Sequence, residues 1–288
     1  MADNITSVIA REDNGNIQIT FTIPNATVKV AEDETVKEFA KDAEIPGFRK
    51  GMAPLSKVAE KISQSQLIEH SLSHILPKAL ADTVTENKLK IAVYPKFELI
   101  TAKEGEDWQI RGITCELPEI TLGDYKAAVG GALRAESIIV PGTNNEVSAE
   151  KKEQAVIKAL LDSVRITIPQ ILIEDEADSR LSNLLSRLEK LGLALESYLA
   201  SIGKKPEDLR ADYAKQAKEA IALDLILSKI AAEEDIKIDQ KDIDGAMGMN
   251  QTANQIKDQS PEDLEQRRRL IESILKRRAA LDFLLGLH

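Results

Sequence analysis

The chain has 288 residues, 43% hydrophobic and 30% charged, with a formal net charge of −10, a length and balance that suit two globular units and do not make disorder the default. The negative balance excludes a general DNA or RNA binder, whose affinity rests on many Lys and Arg contacts to phosphate, so any RNA contact has to be local. A single cysteine, Cys115, no basic and apolar leader in residues 1–10, and no apolar run near the roughly 20 residues of a membrane helix make a cytoplasmic chain the expectation by elimination.

In chain order, Val8-Ile9 and residues 17–23 read as two strands joined through Asp13-Asn14-Gly15, where Asn-Gly tolerates the positive φ of a tight turn. Residues 25–43 give a divided signal. Thr27-Val28-Lys29-Val30 alternates like a strand, whereas Val36, Phe39, Ala40 and Ala43 keep helical spacing. Residues 45–54 read IPGFRKGMAP. Pro46-Gly47 cannot continue a helix, Gly51 permits a positive φ, and Pro54 suits the first turn of a following helix, so Phe48, Arg49 and Lys50 are held between two breakers. Such a tripeptide is either a docking element or an ordinary interhelical turn with Phe48 folded inward, and spacing alone leaves both readings open. Residues 54–62 read as a short helix. Leu67, Ile68, Leu72, Ile75, Leu76, Ala79 and Leu80 mark a longer amphipathic one with Pro77 inside it. Two more strand-like runs, 97–100 and 108–116, flank the polar turn 103–107, so the first part is predicted to be α+β with an antiparallel sheet.

Residues 127–149 break the composition with Gly130-Gly131, Pro141-Gly142 and Asn144-Asn145, and are predicted to be a linker in which 137–140 forms a strand or an extended arm. Helical patterns then fill 150–164, 169–191, 196–202, 206–234 and 261–285, with Pro169, Pro206 and Pro261 at helix starts. The expected plan is an α+β domain over 1–126, a linker over 127–149 and an all-α multi-helix domain over 150–288, its short connections giving antiparallel neighbours. Aromatic residues make up only 3%, so aliphatic ridges have to pack the helices.

The segment at residues 45–54 resembles the ribosome-docking signature of the trigger factor family, bacterial chaperones that meet nascent chains at the ribosomal tunnel exit. Its pattern runs close to GFRxGxxP, and Gly47, Phe48, Arg49, Gly51 and Pro54 match. The flanks agree. Thr22-Ile23-Pro24 precedes it, LPKALADTVTENKL and YPKFELI follow, and LPEITLGDYK and IPQILIEDEADSRLSNLLSRLEK come later, so the resemblance covers nearly the whole chain. It implies a helix throughout 25–43, an N-terminal ribosome-binding domain and a helical C-terminal peptide-binding domain. It also implies Gly47, Phe48, Arg49, Lys50 and Gly51 as the ribosome-binding residues, set against a tunnel-exit protein and adjacent ribosomal RNA. Nascent or unfolded polypeptides would be the other partners, a homodimer is an option for the free protein, and neither membrane nor DNA is implied. Met52 and Ala53 depart from the usual signature, where many relatives carry a further cation and a β-branched residue, which implies weaker docking without its loss.

Trigger factors usually carry a prolyl-isomerase domain of the FK506-binding type between these two parts, and such a domain needs on the order of 100 residues. The interval 125–150 cannot hold one, and the single Trp, Trp108, falls in a strand of the first domain. The chain therefore resembles a trigger factor without the isomerase, an ATP-independent chaperone and not an enzyme. The alternatives are a ribosome-independent holdase or assembly chaperone and, less favoured, a residual prolyl isomerase.

Other constellations carry little chemistry. His70 and His74 are four apart on a helix but lack the Cys or carboxylate motif that completes a metal site. Cys115 reads as a buried or semi-buried, inert thiol. Glu174, Asp175, Glu176 and Asp178 open a helix and read as partners of its dipole. Arg267, Arg268, Arg269, Lys276, Arg277 and Arg278 form a basic stripe that reads as a solvated face paired with acids, with RNA or an acidic client as the lesser reading. Met247 and Met249, beside Gly245, suit either adaptable contacts or an interhelical turn. No cofactor, metal or catalytic residue is expected.

Overall fold

The structure, a computed structural model, describes residues 5–103, 105–136, 149–249 and 261–287, and the chain divides into two units, Met1–Leu117 with Pro169–Leu172 and Pro118–Ile168 with Ile173–His288. The expected arm at 137–140 lies outside the described residues.

The first unit is built on an antiparallel sheet of β1 (Thr6–Arg11), β2 (Asn16–Ile23), β3 (Lys96–Thr101) and β4 (Trp108–Cys115), ordered β1-β2-β4-β3. Strict alternation organises β2: Ile17, Ile19, Phe21 and Ile23 are buried, and Gln18, Thr20 and Thr22 take the opposite face. Above the buried face lie α1 (Asn25–Asp42) and, after the short α2 (Leu55–Ala59), α3 (Gln64–Asn87). Val28 and Ala31 of α1 and Ile75, Leu76, Ala79 and Leu80 of α3 close the core against β2 and against Trp108 and Ile110 of β4. Where the two helices meet, the buried hydroxyls of Thr35 and Ser71 share a 3.2 Å hydrogen bond. Their small side chains let the helices approach closely while both polar groups stay satisfied. Helix therefore wins over the local strand pattern of residues 27–30, because Val28 faces the core while Val30 is left exposed. A reciprocal pair of hydrogen bonds between Ser63 and Gln66 caps the start of α3.

The β1–β2 turn differs from a two-residue Asn-Gly hairpin. Gly15 N donates to Glu12 O at 3.0 Å, Gly15 takes φ 83°, and Asn14 Oδ1 accepts from Asn16 N at 2.9 Å, so residues 12–15 all belong to the loop. This loop also receives a distant segment. Gln170 N donates to Asn14 O (3.1 Å), Ile171 N donates to Asn16 Oδ1 (3.0 Å), and a Cβ on Gly15 would stand 3.1 Å from Pro169 Cα. Residues Pro169–Leu172 thus cluster with the first unit, although the sequence pattern places them in the helical half.

The second unit is helical: α4 (Tyr125–Glu136), α5 (Ala149–Ser163), most of α6 (Gln170–Lys190), α7 (Leu195–Ile202), α8 (Pro206–Glu233), α9 (Gln240–Met249) and α10 (Pro261–Leu285). Its main core joins α4, α5, α8 and α10 through side chains at one-turn spacing, among them Val129 and Leu133, Val156 and Leu160, Ile226 and Ile230, and Leu281 and Leu284. Residues 127–136, expected to be linker, are the body of α4. Two helical glycines cost about 1 kcal/mol each. Burying Tyr125, Val129 and Leu133 outweighs that, at roughly 1.5–3 kcal/mol for each large apolar side chain. The neighbourhood of Met247 is likewise helix and not turn, because buried Ile243 anchors α9 and Asp244 meets Arg268 of α10 at 3.5 Å.

At the end of α8, Glu234 accepts from Lys126 Nζ and Tyr125 Oη, both at 2.7 Å. Lys126 first, then Tyr125, hold its carboxyl below the ordinary value of 4.5. Burial first, then the Glu234 carboxylate, push the Tyr125 hydroxyl above its ordinary 10.0. A depressed carboxyl contributes stability above pH 4.5 and loses it as pH falls through the folded value; the raised phenol keeps its contribution below pH 10 and loses it above. Glu234→Gln is therefore expected to melt with a shallower acid slope than the parent below pH 4.5, read from thermal unfolding at a series of pH values. In the first unit, Phe21→Ala is expected to cost about 3–5 kcal/mol, measured as a lowered urea midpoint.

Candidate functional site

Helix α1 ends at Asp42, and the backbone turns extended at Ala43. Two tight turns follow. In the first, Phe48 N donates to Ile45 O at 3.0 Å with Pro46 second and Gly47 third at φ 89°, the hydrogen bond and torsion of a type II turn. In the second, Met52 N donates to Arg49 O at 2.9 Å with Lys50 second and Gly51 third at φ 77°. Phe48 ends one turn and Arg49 begins the next. Backbone geometry therefore fixes their display, with no need for packing at the tip.

Gly51 ties the second turn to the helix. Its N–H donates to Ala43 O at 3.2 Å, and a Cβ at this position would stand 2.8 Å from Lys41 O. Lys50 Nζ meets the Asp42 carboxylate at 3.2 Å, an exposed pair that adds little stability. Below the turns, buried Val58 of α2 joins Phe39, Ile45 and Ile62 along a groove of about 550 Å³. The loop thus has a stiff base and a solvent-facing crest.

On that crest Phe48 is 46% exposed, so it is not folded inward, and Met52 and Leu55 are 73% and 45% exposed. Arg49 is exposed and makes no ion pair among the described residues. Of the predicted site residues, Gly47 and Gly51 shape the backbone, while Phe48, Arg49 and Lys50 are surface groups. Met52 and Leu55 were not in the predicted set; the available signal was an apolar residue on each flank of Ala53-Pro54, at a turn that needs none for its fold. Between residues 41 and 61, five cations (Lys41, Arg49, Lys50, Lys57, Lys61) stand against three carboxylates (Asp42, Glu44, Glu60), a local excess of two in a chain of net charge −10.

The competing constellations resolve into structure. His70 stacks edge-on against Phe39 at 4.7 Å and His74 Nε2 lies 3.1 Å from Glu38, so the two imidazoles engage different α1 partners. Among the described residues there is no group of three or more His, Cys, Asp or Glu suited to a metal. Cys115 is buried. The basic stripe of α10 is largely paired: Arg268 with Asp244, Arg269 with Glu265, Lys276 with Glu272, Arg277 with Asp224 and Arg278 with Asp282.

The two turn glycines should respond differently to a methyl group. Gly47→Ala meets open space and only an unfavourable φ, at about 1 kcal/mol, whereas Gly51→Ala adds a collision with the Lys41 carbonyl. The expected result is that Gly51→Ala alone removes hydrogen-exchange protection from the residue-51 amide, with the larger fall in melting temperature.

The family model described as bacterial trigger factor protein matches residues 6–154, and that described as bacterial trigger factor protein C-terminus matches 142–286, so the two overlap and leave no interval between them for a further domain. Trigger factor from Streptococcus agalactiae serotype III (strain NEM316) is 31% identical over 150 residues, 52% of this chain and 33% of that protein. Trigger factor from Streptococcus mutans serotype c (strain ATCC 700610 / UA159) is 30% identical over 162 residues, 55% of this chain and 34% of that protein. The matched part thus spans about a third of the length of these relatives. A solved structure described as promiscuous substrate recognition in folding and assembly activities of the trigger factor chaperone shares the fold, with a TM-score of 0.61 at 13% identity over 98% of this chain and 100% of that one. With both halves matched between residues 6 and 286, the chain belongs to the trigger factor family.

Proposed function

We propose that this chain is an ATP-independent chaperone that docks at the ribosomal tunnel exit through the residue 47–51 loop and shields nascent polypeptides. The observation that carries the reading is the pair of tandem turns that exposes Phe48 beside Arg49 and Met52 on a braced loop. Phe48 and Met52 supply apolar anchors, Arg49 presents an uncompensated guanidinium for a phosphate or carboxylate, and Lys50 adds charge from its exposed pair with Asp42. A protein surface with adjacent ribosomal RNA fits this mixture better than either alone, because the cations are few and local. Met52 replaces a cation of the usual pattern with apolar surface, which shifts the balance of the contact toward protein. The cytoplasm is the setting that this reading requires.

Client shielding is supported by apolar side chains left on the helical unit. Leu191 is 71% exposed and Leu270 59%, with Leu193 and Ile274 exposed nearby in sequence. Each offers a weak contact, and a client with several unburied segments gains avidity by meeting more than one. Release then follows as the client buries its own surface.

The test is co-sedimentation with bacterial ribosomes at physiological salt, comparing the parent with a Phe48→Ala, Arg49→Ala, Lys50→Ala variant. The expected result is at least a tenfold loss of affinity in the variant, consistent with removal of a hot-spot aromatic worth about 2 kcal/mol and two cations. Parent and variant sedimenting alike would remove the loop from the contact. Aggregation suppression with no sedimentation of either would favour the ribosome-independent holdase, and substoichiometric acceleration of a proline-limited refolding reaction would replace the chaperone reading with an isomerase.

A further inference from the structure

We propose that the groove between α5 and α8 binds extended apolar polypeptide segments flanked by acidic residues. This rests on the chaperone reading and assigns its helical unit a client class. The groove measures about 860 Å³. Ile157 and Leu161 of α5 form its floor with Ile166, all three only partly buried, and Ala222 of α8 closes the far side. Ile157 and Leu161 are one helical turn apart, so they present a continuous aliphatic strip. From Gln154 to Asp162 the helix advances about 12 Å at 1.5 Å per residue. That is the length of about four extended residues.

The rim supplies the specificity. Lys158 and Arg165 border one side, and Lys215 and Lys218, one turn apart on α8, border the other; all four are exposed. None of the four makes an ion pair among the described residues, whereas other cations of this unit do: Lys204 with Asp212, Arg210 with Asp178, Arg277 with Asp224. Asp162 and Glu219 also line the groove without an ion pair, leaving four cations against two carboxylates in a chain of net charge −10. On the α10 stripe an acidic ligand would have to displace internal carboxylates; here it would not. The same cations could receive nucleic-acid phosphates, but the groove lining contains no aromatic side chain on which a base could stack. Its aliphatic floor suits Leu, Ile and Val of an unfolded chain.

Fluorescence anisotropy on the whole chain tests this with two dye-labelled unstructured peptides that share an apolar core of Leu, Ile and Val, one flanked by glutamates and the other by lysines. At low salt the glutamate-flanked peptide is expected to bind about tenfold more tightly, and the preference should shrink as salt shortens the screening length to about 3 Å near 1 M. A Lys158→Glu, Lys215→Glu, Lys218→Glu variant, altered only at exposed positions and checked for an unchanged melting curve, is expected to reverse the preference. Ile166→Asp should weaken both peptides. Equal binding, a preference for lysine flanks, an unchanged preference in the charge-reversed variant, or displacement of the peptide by a single-stranded RNA oligonucleotide at lower concentration than by unlabelled peptide would overturn the assignment. Suppression of client aggregation, measured alongside, separates the two levels. If it persists without any peptide preference, this groove assignment alone falls; if the parent neither suppresses aggregation nor binds either peptide, the chaperone reading falls with it.

Discussion

Burial of one face of β2 governs the first unit. Ile17, Ile19, Phe21 and Ile23 must all leave water together, because side chains alternate along a strand and a slip of one residue would turn the whole set outward. Two helices are needed to cover that face and the adjoining part of β4, and α1 and α3 do so by crossing at the Thr35–Ser71 hydrogen bond. Their lateral position is then fixed. The loop between them starts from the fixed end of α1, and Gly51 packs it against the Lys41 and Ala43 carbonyls. The exposed crest is a consequence of the buried sheet, transmitted through a helix pair that cannot slide without unpairing a buried hydroxyl.

Much of this was legible from residue order. Alternation gave β2 and β4, one-turn spacing gave α3 and the helices after residue 150 other than α9, and Pro46, Gly47, Gly51 and Pro54 marked the loop limits. Whether Phe48 points out was not legible, because the spacing of IPGFRKGMAP is the same for either orientation. Tandem turns decide it, and the second of them is seated on the end of α1 by the Gly51 N–H bond to Ala43 O. The glycine pair in α4 misled in the other direction. Local propensity reads Gly130-Gly131 as a break, yet the burial of Val129 and Leu133 is a tertiary effect larger than the local cost. Pro169–Leu172 carried no usable signal, since its hydrogen bonds are to a turn more than 150 residues away in the chain.

Charge is organised differently on different faces of the helical unit. On α10 most cations lie within reach of a carboxylate at one-turn spacing or on a neighbouring helix, so the stripe is electrically quiet. Around the α5–α8 groove four cations and two carboxylates, Asp162 and Glu219, line an aliphatic strip without pairing among the described residues. An exposed pair contributes little to folding, so leaving four cations uncompensated costs the fold little. What it changes is the field along a partly buried aliphatic strip, where a ligand carboxylate meets cations that no internal carboxylate already engages.

A chaperone without a nucleotide cycle has to bind weakly enough to let go, and the arrangement proposed here meets that requirement by separation of tasks. Attachment to the ribosome would rest on a small, rigid crest whose shape is set by two glycine turns, so little conformational entropy is lost on docking. Client contact would rest on the short aliphatic strip of the α5–α8 groove, with charges at its edges, and on scattered exposed side chains such as Leu191 and Leu270. Neither kind of contact is strong alone. A client held in that groove and at exposed apolar side chains elsewhere would dissociate contact by contact as its apolar segments find one another, at a rate set by its own folding. The energy for release would then come from burial within the client, which supplies the same hydrophobic transfer free energy that the chaperone's apolar contacts had offered.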